Sequence, residues 1–562
     1  MQIDKISGSA LYTAPFKLST KSFTSNWLPY LLIALVWLVT RAFPFYTIEP
    51  WVYWEVGEAK KLLEYGFLER GGAIIDNHFM TGLVAEPWKF NYVNHPYPIL
   101  WFDTLVYRLA GGWGVVVANG LIGLGACLLV FPALRSLCSP QLALLGAFIF
   151  TVAPSAILFT FDTNIVQLGA ILWPPAIFLI GKGLKQARAA TAVALGAIVF
   201  LAGQIAWFSY SVLPALLLAA GAVAYERSRG FTTKPNSALI IAIVAGGVLT
   251  LAVFIGQIIH YTYDFAETFA YVRGQAGAEH GVPVGQMYVA IALRGILSVG
   301  PALLLGAVAG FVCLLRTKSV NWLQWSALLY PLLFLGAVIA LPRFFFRERT
   351  MYQYLLFPCT VLTVTALQHA RGRWATTGTV GLAVVALAYP MFQASIPKAS
   401  VTSKELGGLI RAITKPEEIV VTNLAGQQSP FQSWDVGSID MASLAADRML
   451  RGKITTTEAL QALLKNYRSH DLNIVYFYDS RRPIGKPLLA FLRSAAEPVI
   501  VPFAAPDEPA SAATRLRNLY WRLAGKHQVT GEGERQGSAE QFEVFRFRLS
   551  ESAQPVEKGA PL

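Results

Sequence analysis

The stretch WLPYLLIALVWLVTRAFPFYTIEPWVYW (27–54) governs the interpretation of the chain, because an apolar segment in it leads directly to an acid. The segment 27–46 is long enough to cross the ~30 Å hydrocarbon core of a bilayer, which takes about 20 helical residues. Glu49 follows it, and three aromatic residues stand beside this acid: Trp51, Tyr53 and Trp54. Charges at a membrane boundary usually face a cavity or a pathway rather than lipid. The stretch therefore predicts a membrane span that ends at a functional carboxylate, and the structural alternative is that Glu49 is a solvated residue at the end of the helix.

The composition extends this interpretation to the whole chain. Of the 562 residues, 54% are hydrophobic and only 14% are charged, whereas soluble domains carry about 25% charged residues. Apolar runs of about 18 or more residues recur between short charged interruptions. A large soluble protein with buried helices would not explain so many runs of this length. The sequence therefore predicts an α-helical polytopic membrane protein.

These runs predict about eleven transmembrane helices. The run 191–225 is too long for one crossing and is split into two near Phe208-Ser209-Tyr210. The remaining spans are predicted at about 27–46, 113–134, 141–160, 164–181, 237–259, 287–315, 321–341, 351–369 and 375–393.

The positive charges agree with this count. The net charge is +13, but the Lys and Arg residues mostly punctuate the apolar runs, so the positive-inside rule explains them better than nucleic-acid binding does. Alternate loops are the basic ones: Lys5/Lys17/Lys21, Arg135, Lys182/Lys185/Arg188, Arg227/Arg229/Lys234, Arg316/Lys318 and Arg371/Arg373. This pattern predicts a cytoplasmic N-terminus (1–26) without a cleavable signal peptide. A transmembrane domain (27–395) with a large external loop (47–98) follows, and the odd number of spans places 396–562 outside the cell.

The external tail is predicted to be a small α/β domain. Strands are expected at EEIVVTN (417–423) and NIVYFYD (473–479), and EVFRFRLS (543–550) alternates as an edge strand would. Helical patterns occupy 403–414 and 455–470, while 504–540 is predicted to be a loop.

Charged residues recur on the predicted outer face, where the topology does not require them. Asp162, in LFTFDTNIVQLG, stands at the outer end of the third span, and the structural alternative is that it caps the next helix. The predicted external loop LPRFFFRERTMYQYLLFP (341–358) carries Arg343, Arg347 and Arg349. Because guanidinium groups bind phosphate through a planar fork, this loop predicts a phosphate site. Contact with anionic lipid headgroups is the alternative.

A histidine stands at the point where the chain re-enters the membrane. FNYVNHPYPILWF (90–102) places His95 before Pro96-Tyr97-Pro98, and the two prolines stiffen the backbone around the imidazole. Five aromatic side chains could line a binding site or could form an interfacial belt: Trp51, Tyr53, Trp54, Tyr97 and Trp101. No metal or other cofactor is required by the sequence. A divalent cation at Asp76-Asn77-His78 is a candidate, and a polar turn is the alternative.

In their order these motifs resemble the GT-C glycosyltransferases, and among them the bacterial protein O-mannosyltransferases and aminoarabinose transferases that use polyprenyl-phosphate sugars. The Asp-Glu-x-x-Tyr pattern that opens the family's first outer loop is matched by Glu49-Pro-Trp-Val-Tyr53, with Glu55 as the alternative acid. KKLLEYG (60–66) matches a helix that ends near LLxxG. His95-Pro-Tyr-Pro-Ile-Leu-Trp101 resembles the family's Lys/His-Pro-Pro-Leu-Tyr-Tyr-Trp motif. Asp162 corresponds to a single Asp of the next outer loop, and Arg349–Pro358 resembles a late Arg/His-Tyr-Leu-Leu-Pro segment.

The resemblance implies inverting transfer of one sugar from a polyprenyl-phosphate donor to a glycan, lipid or protein outside the bacterial inner membrane. It implies Glu49 as general base and Asp162 as the second carboxylate. Arg347, Arg349 and His95 would bind the donor phosphate. The residues expected to line the substrate are Trp51, Tyr53, Trp54, Glu55, Tyr97, Trp101 and Tyr352. Membrane lipids are expected partners and nucleic acid is not. A transporter or flippase of lipid-linked sugar and an inactive GT-C-like scaffold are the alternatives.

Overall fold

A computed structural model describes the helical bundle and part of the C-terminal region. The residues described are 27–42, 59, 62–63, 98–158, 173–185, 188–230, 237–261, 273, 276, 283–317, 320–347, 349–370, 373–395, 418–422, 438–440, 460–461, 473–479, 486–499 and 542–547.

The helices of the described residues follow the predicted apolar runs. They are α1 (Leu28–Ala42), α2 (Pro98–Leu134), α3 (Pro140–Thr151), α4 (Pro154–Leu158), α5 (Trp173–Lys185), α6 (Ala189–Ile205), α7 (Leu213–Gly230), α8 (Ala238–Tyr261), α9 (Val284–Val299), α10 (Pro301–Leu315), α11 (Trp322–Ala340), α12 (Pro342–Arg347), α13 (Leu356–His369) and α14 (Arg373–Ser395). Two 3-10 helices, Trp207–Val212 and Arg349–Leu355, precede α7 and α13.

Length and composition support fewer membrane crossings than were predicted. Within the described residues, α2, the Ala238–Gln257 part of α8 and α11 are long and apolar enough to cross a bilayer, although α2 is interrupted at Gly111, where its backbone is not helical. A fourth crossing is added if α9 and α10 count as one broken span. Because these two helices bend by 100° at Gly300, the segment predicted as one span at 287–315 is not a straight helix. The total of eleven spans remains a prediction.

The surface of the bundle has the character of a lipid-facing surface. Large apolar side chains are exposed at helical spacing on several helices: Leu31, Leu35 and Leu38 on α1, Ile241, Val244 and Val248 on α8, and Leu332, Leu335 and Ile339 on α11. Contiguous apolar patches of this extent are rare on soluble monomers and mark contact with a membrane or a partner. Their distribution over separate helices agrees with a bundle that is surrounded by hydrocarbon.

The split predicted near Phe208-Ser209-Tyr210 is confirmed, since α6 ends at Ile205 and a 3-10 helix intervenes before α7. Hydroxyl groups at this break find partners inside the bundle. Ser209 Oγ lies 3.2 Å from the Tyr354 hydroxyl, and Ser211 Oγ lies 3.0 Å from the Tyr330 hydroxyl. Because unpaired polar groups are costly in an apolar interior, these contacts fix the break to the later helices.

Two helix pairs approach closely through small residues. In α10, a Cβ added at Gly310 would collide with the carbonyl oxygen of Leu362 in α13, and one added at Gly306 would lie 2.5 Å from Thr363. In the pair α6 and α8, a Cβ added at Gly196 would lie 3.1 Å from the carbonyl oxygen of Ala242. Membrane helices associate through such small residues, because they let the backbones come into van der Waals contact.

Five strands in the C-terminal region form one mixed sheet in the order β2-β1-β3-β5-β4. The strands are β1 (Glu418–Thr422), β2 (Ser438–Asp440), β3 (Asn473–Asp479), β4 (Glu497–Val499) and β5 (Phe542–Phe547). β1 is parallel to β2 and β3, whereas β5 is antiparallel to β3 and β4.

The strands predicted at 417–423 and 473–479 are confirmed as β1 and β3, with β3 on the predicted bounds. The expectation that 543–550 forms an edge strand is wrong, because β5 has a neighbour on each side. Val544 lies on one face of β5 and Phe545 and Phe547 lie on the other, and all three are buried, so the strand is covered on both faces. Phe547 stacks on Phe491 with ring centroids 6.1 Å apart. Phe491 belongs to α15 (Lys486–Ala495), the helix that precedes β4. The predicted helix 403–414, most of 455–470 and the predicted loop 504–540 lie outside the described residues, and the domain boundary at 396 remains a prediction.

Candidate functional site

Most of the predicted site residues lie outside the part of the chain that the structure describes. These are Glu49, Trp51, Tyr53, Trp54, Glu55, His95, Tyr97 and Asp162, together with the candidate cation turn Asp76-Asn77-His78. For Arg347 and Arg349 the structure describes the helical backbone, and for Trp101 and Tyr352 it describes the side chain as well. The elements that lead into these residues are described, and they show which stretches the fold brings together.

Arg41 joins the stretch before Glu49 to the stretch before Asp162. Its guanidinium is buried at the end of α1 and lies 5.5 Å from the centre of the Trp37 ring. Nη1 donates to the carbonyl oxygen of Thr151 at 2.8 Å, and Nη2 donates to that of Ala156 at 2.7 Å. Both carbonyls flank the break between α3 and α4. The fold therefore holds the exit of the first helix against the segment from which Asp162 emerges.

The third stretch, which carries Arg349, packs at the same place. α4 (Pro154–Leu158) contacts the 3-10 helix Arg349–Leu355, and it also contacts α9 and α14. The chain segments that precede Glu49 and Asp162 are thus next to the backbone that bears Arg349. Residues far apart in the sequence meet at one end of the bundle, which is the arrangement that a shared site requires.

In the described residues the predicted external loop 341–358 consists of short helical turns between α11 and α13, and its external position remains a prediction. α12 and the following 3-10 helix occupy it, and the side chains of Phe344, Phe345 and Phe346 are buried. Phe208 anchors this cluster, since its ring centroid lies 6.0 Å from that of Phe344 and 5.7 Å from that of Phe345. The aromatic residues hold the arginine-bearing turns against the bundle, a role that periodicity over so short a stretch does not reveal.

Tyr352 and Arg294 are both buried next to these turns. Tyr352 is 2% exposed, and its hydroxyl donates to the carbonyl oxygen of Ile291 in α9 at 2.8 Å. Arg294 is 6% exposed, with its Cζ 4.7 Å from the centre of the Phe346 ring. The structure therefore places a buried cation that the sequence analysis missed. The available signal was a single arginine within an otherwise apolar run, which marks a functional position in a membrane helix.

An apolar groove adjoins the same turns. It is narrow, with about 20 Å³ of space inside it, and is lined by side chains of α5, α6 and α7 and of the 3-10 segment between α6 and α7, among them Trp173, Ile198 and Leu216. Ser209 also lines the groove, and its hydroxyl contacts that of Tyr354 in the arginine-bearing segment. The groove thus offers an apolar surface that is connected to the 3-10 helix Arg349–Leu355.

We expect Arg41→Gln to lower the free energy of unfolding by about 2–4 kcal/mol, because each buried bond from a charged donor contributes about 1.5–3 kcal/mol. Thermal unfolding of the purified protein in detergent measures the loss. Arg135→Gln is the matched control, since Arg135 is exposed in the turn after α2 and its replacement should change stability by less than about 0.5 kcal/mol. Equal stability of the two variants would contradict the role assigned to Arg41.

Comparison with solved structures identifies the fold. ArnT from Cupriavidus metallidurans, in a crystal structure bound to undecaprenyl phosphate, aligns with a TM-score of 0.56 at 12% identity over 92% of this chain and 97% of that chain. Its apo structure aligns with a TM-score of 0.53 at 12% identity over the same shares of both chains. The Archaeoglobus fulgidus oligosaccharyltransferase, tethered with an acceptor peptide, aligns with a TM-score of 0.50 at 11% identity over 82% of this chain and 70% of that chain.

No protein-family model matches the sequence, and no curated protein sequence matches it significantly. The solved structures therefore carry the comparison, and at 11–12% identity they establish the fold. The resemblance predicted from the order of the motifs is confirmed at this level. The chain has the fold of the GT-C membrane glycosyltransferases, the superfamily of ArnT and the archaeal oligosaccharyltransferase.

Proposed function

We propose that the chain is an integral-membrane glycosyltransferase that moves one sugar from a polyprenyl-phosphate donor to an acceptor outside the cytoplasm. One observation carries the proposal. The stretches that lead to Glu49 and Asp162 are joined by Arg41, and the segment bearing Arg349 packs beside them. Their convergence in a GT-C fold supports a single site built from all three.

Donor binding requires an apolar path and a positive charge. A polyprenyl chain is too hydrophobic for water, and the exposed apolar side chains of the bundle support a place for it at the lipid-facing surface. The leaving group is an anionic phosphate whose developing charge needs preorganised cations. Arg347, Arg349 and His95 take this role in the proposal, and the buried Arg294 adds positive potential behind them.

The acceptor must lose a proton as it attacks the anomeric carbon. Glu49 is the proposed general base, a task that typically accelerates a reaction about 10²–10⁴-fold. Asp162 is the second carboxylate, which orients the acceptor or the base. Direct attack on the donor inverts the anomeric centre. Trp51, Tyr53, Trp54, Tyr97 and Trp101 would offer flat faces to the sugars.

A divalent cation at the turn Asp76-Asn77-His78 stays a candidate, and this turn lies outside the described residues. Within the described part of the chain, no group of three or more His, Cys, Asp or Glu side chains is placed to hold a metal ion. The acceptor is an envelope glycan, lipid or protein, and the proposed orientation in the bacterial inner membrane places the site and the residues 396–562 on the extracytoplasmic side.

The full chain in lipid nanodiscs, supplied with a synthetic polyprenyl-phosphate sugar and an envelope extract, tests the proposal. We expect free polyprenyl phosphate to appear, and we expect mass spectrometry to find an acceptor heavier by one sugar. Donor that crosses the bilayer of proteoliposomes intact would support a flippase instead. Donor that binds and is neither cleaved nor moved would support an inactive scaffold.

Variants of the phosphate-binding arginines sharpen this test. In the doubly substituted Arg347→Gln and Arg349→Gln protein, we expect the donor KM to rise about 10–100-fold or more, since each charge-assisted bond contributes about 1.5–3 kcal/mol. Arg135→Gln, at the exposed turn after α2, should leave the KM unchanged. An unchanged KM in the double variant would remove the arginines from the donor site.

A further inference from the structure

Helix α2 folds back on itself at Gly111. This residue has φ 67° and ψ −172°, a conformation that is essentially restricted to glycine. Asp103 and Asn119 stand sixteen positions apart, which would separate them by about 24 Å in a straight helix. Their side chains are nevertheless hydrogen bonded, with 3.2 Å between Asn119 Nδ2 and Asp103 Oδ1. The segments on either side of Gly111 are therefore two arms of a helical hairpin, and the hydrogen bond between Asp103 and Asn119 joins them.

The Asp103–Asn119 pair is buried, and one oxygen of each side chain accepts no hydrogen bond among the described residues. Asp103 and Asn119 are both 0% exposed. Asp103 Oδ2 and Asn119 Oδ1 have no hydrogen-bond partner among the described residues. An ionised carboxylate has only acceptors, so these two oxygens would remain unsatisfied in an apolar interior. Burying a charge without compensation is far more costly than burying a neutral acid.

We propose that Asp103 binds a proton and keeps it at neutral pH, closing a cyclic acid–amide pair with Asn119. The Oδ2 hydroxyl of Asp103 then donates to Asn119 Oδ1, while Asn119 Nδ2 donates to Asp103 Oδ1. One proton satisfies both oxygens and removes the buried charge. The ring locks the two arms of α2 together across Gly111.

Among the described residues, no neighbouring charge is bonded to Asp103. The charged residues on the helices that pack against α2 are Arg41 on α1 and Lys182 and Lys185 on α5, and of the two lysines the structure describes the side chain of Lys182 alone. Arg108 lies on α2 itself, whose other titratable groups are Tyr107 and Cys127, and Tyr30 is on α1. None of them makes a described hydrogen bond or ion pair with Asp103, whose one bond goes to Asn119.

The hydrogen-bonded pair with Asn119 gives Asp103 a positioning role. The first arm of the hairpin begins at Pro98, directly after the His95-Pro96-Tyr97 stretch, and it carries Trp101. Fixing this arm against the second arm fixes the point at which the outer loop returns to the bundle. The stability and spectroscopic consequences of the proton do not depend on the proposed sugar transfer.

Infrared difference spectroscopy tests the protonation directly. The spectrum of the wild-type protein minus that of Asp103→Asn, both at neutral pH in detergent, should contain the carbonyl band of a buried protonated carboxylic acid. Asparagine at this position can form the same two bonds without a proton, so the variant should fold. A difference spectrum that shows only carboxylate bands at neutral pH would overturn the proposal.

The pH dependence of stability gives a second readout. Folding of the wild-type protein takes up a proton at Asp103, so raising the pH above the unfolded value of about 4 disfavours the folded state. Relative to Asp103→Asn, the wild-type folding constant should fall about tenfold per pH unit until the buried acid ionises. If the stability of the two proteins depended on pH in the same way, the protonated Asp103–Asn119 pair would be contradicted.

Asn119→Leu, which removes the partner of Asp103, should lower the unfolding temperature at every pH. Equal stability of Asn119→Leu and the wild-type protein would also contradict the proposed pair.

Discussion

Glu49→Gln is expected to lower the rate of sugar transfer by about 10²–10⁴-fold, the usual contribution of a general base. Glutamine keeps the shape of the side chain but cannot accept the acceptor's proton in the transition state. The donor KM should stay nearly constant, because the phosphate is bound by residues of other stretches. Initial rates of polyprenyl phosphate release, measured over a range of donor concentrations, separate the two parameters.

Glu55→Gln is the matched control for this substitution. Both acids follow the first helix, and Glu55 is the alternative match to the acidic motif. We expect Glu55→Gln to retain more than about a tenth of the wild-type rate, a much smaller loss than the 10²–10⁴-fold loss that marks removal of a general base. A large loss for Glu55→Gln with a small one for Glu49→Gln would transfer the base to Glu55. Full activity in both variants would contradict a carboxylate base in this loop.

Gly310→Ala is expected to cost about 1–3 kcal/mol of stability, and Gly310→Leu is expected to prevent α10 from packing on α13. A Cβ at Gly310 would collide with the carbonyl oxygen of Leu362 and would lie 2.5 Å from its carbonyl carbon. Both are backbone atoms, so no side-chain rotation relieves the overlap. Size-exclusion chromatography reports the fraction of folded protein, and thermal unfolding in detergent reports the stability of what remains.

Gly336→Ala provides the control on a neighbouring helix. A Cβ at Gly336 of α11 would meet nothing within 4 Å, so only helix propensity changes. Alanine is favoured over glycine in a helix by up to about 1 kcal/mol, which predicts equal or slightly higher stability. If Gly310→Ala were as stable as Gly336→Ala, the close approach of α10 and α13 would be wrong.

Features that depend on a few consecutive residues could be predicted from the sequence. The break near Phe208 follows from an apolar run that is too long for one crossing, and strands β1 and β3 follow from short runs of β-branched and aromatic residues. The order of the outer-loop motifs was enough to predict the fold. Hydropathy and periodicity are local properties, so they are present in the chain before it folds.

Other features depend on which segments meet, and only the tertiary structure decided them. The bond from Arg41 to Thr151 spans 110 positions, and nothing near Arg41 in the sequence indicates its partner. The hydrogen bond between Asp103 and Asn119 forms because the backbone of Gly111 reverses the direction of the helix. The interior position of β5 is set by pairing with β3 and β4 on its two sides. The sequence by itself thus determined where the chain is apolar and where it breaks. The convergence of three distant stretches at one end of the bundle was decided by packing, because buried polar groups must find partners wherever the folded chain brings them.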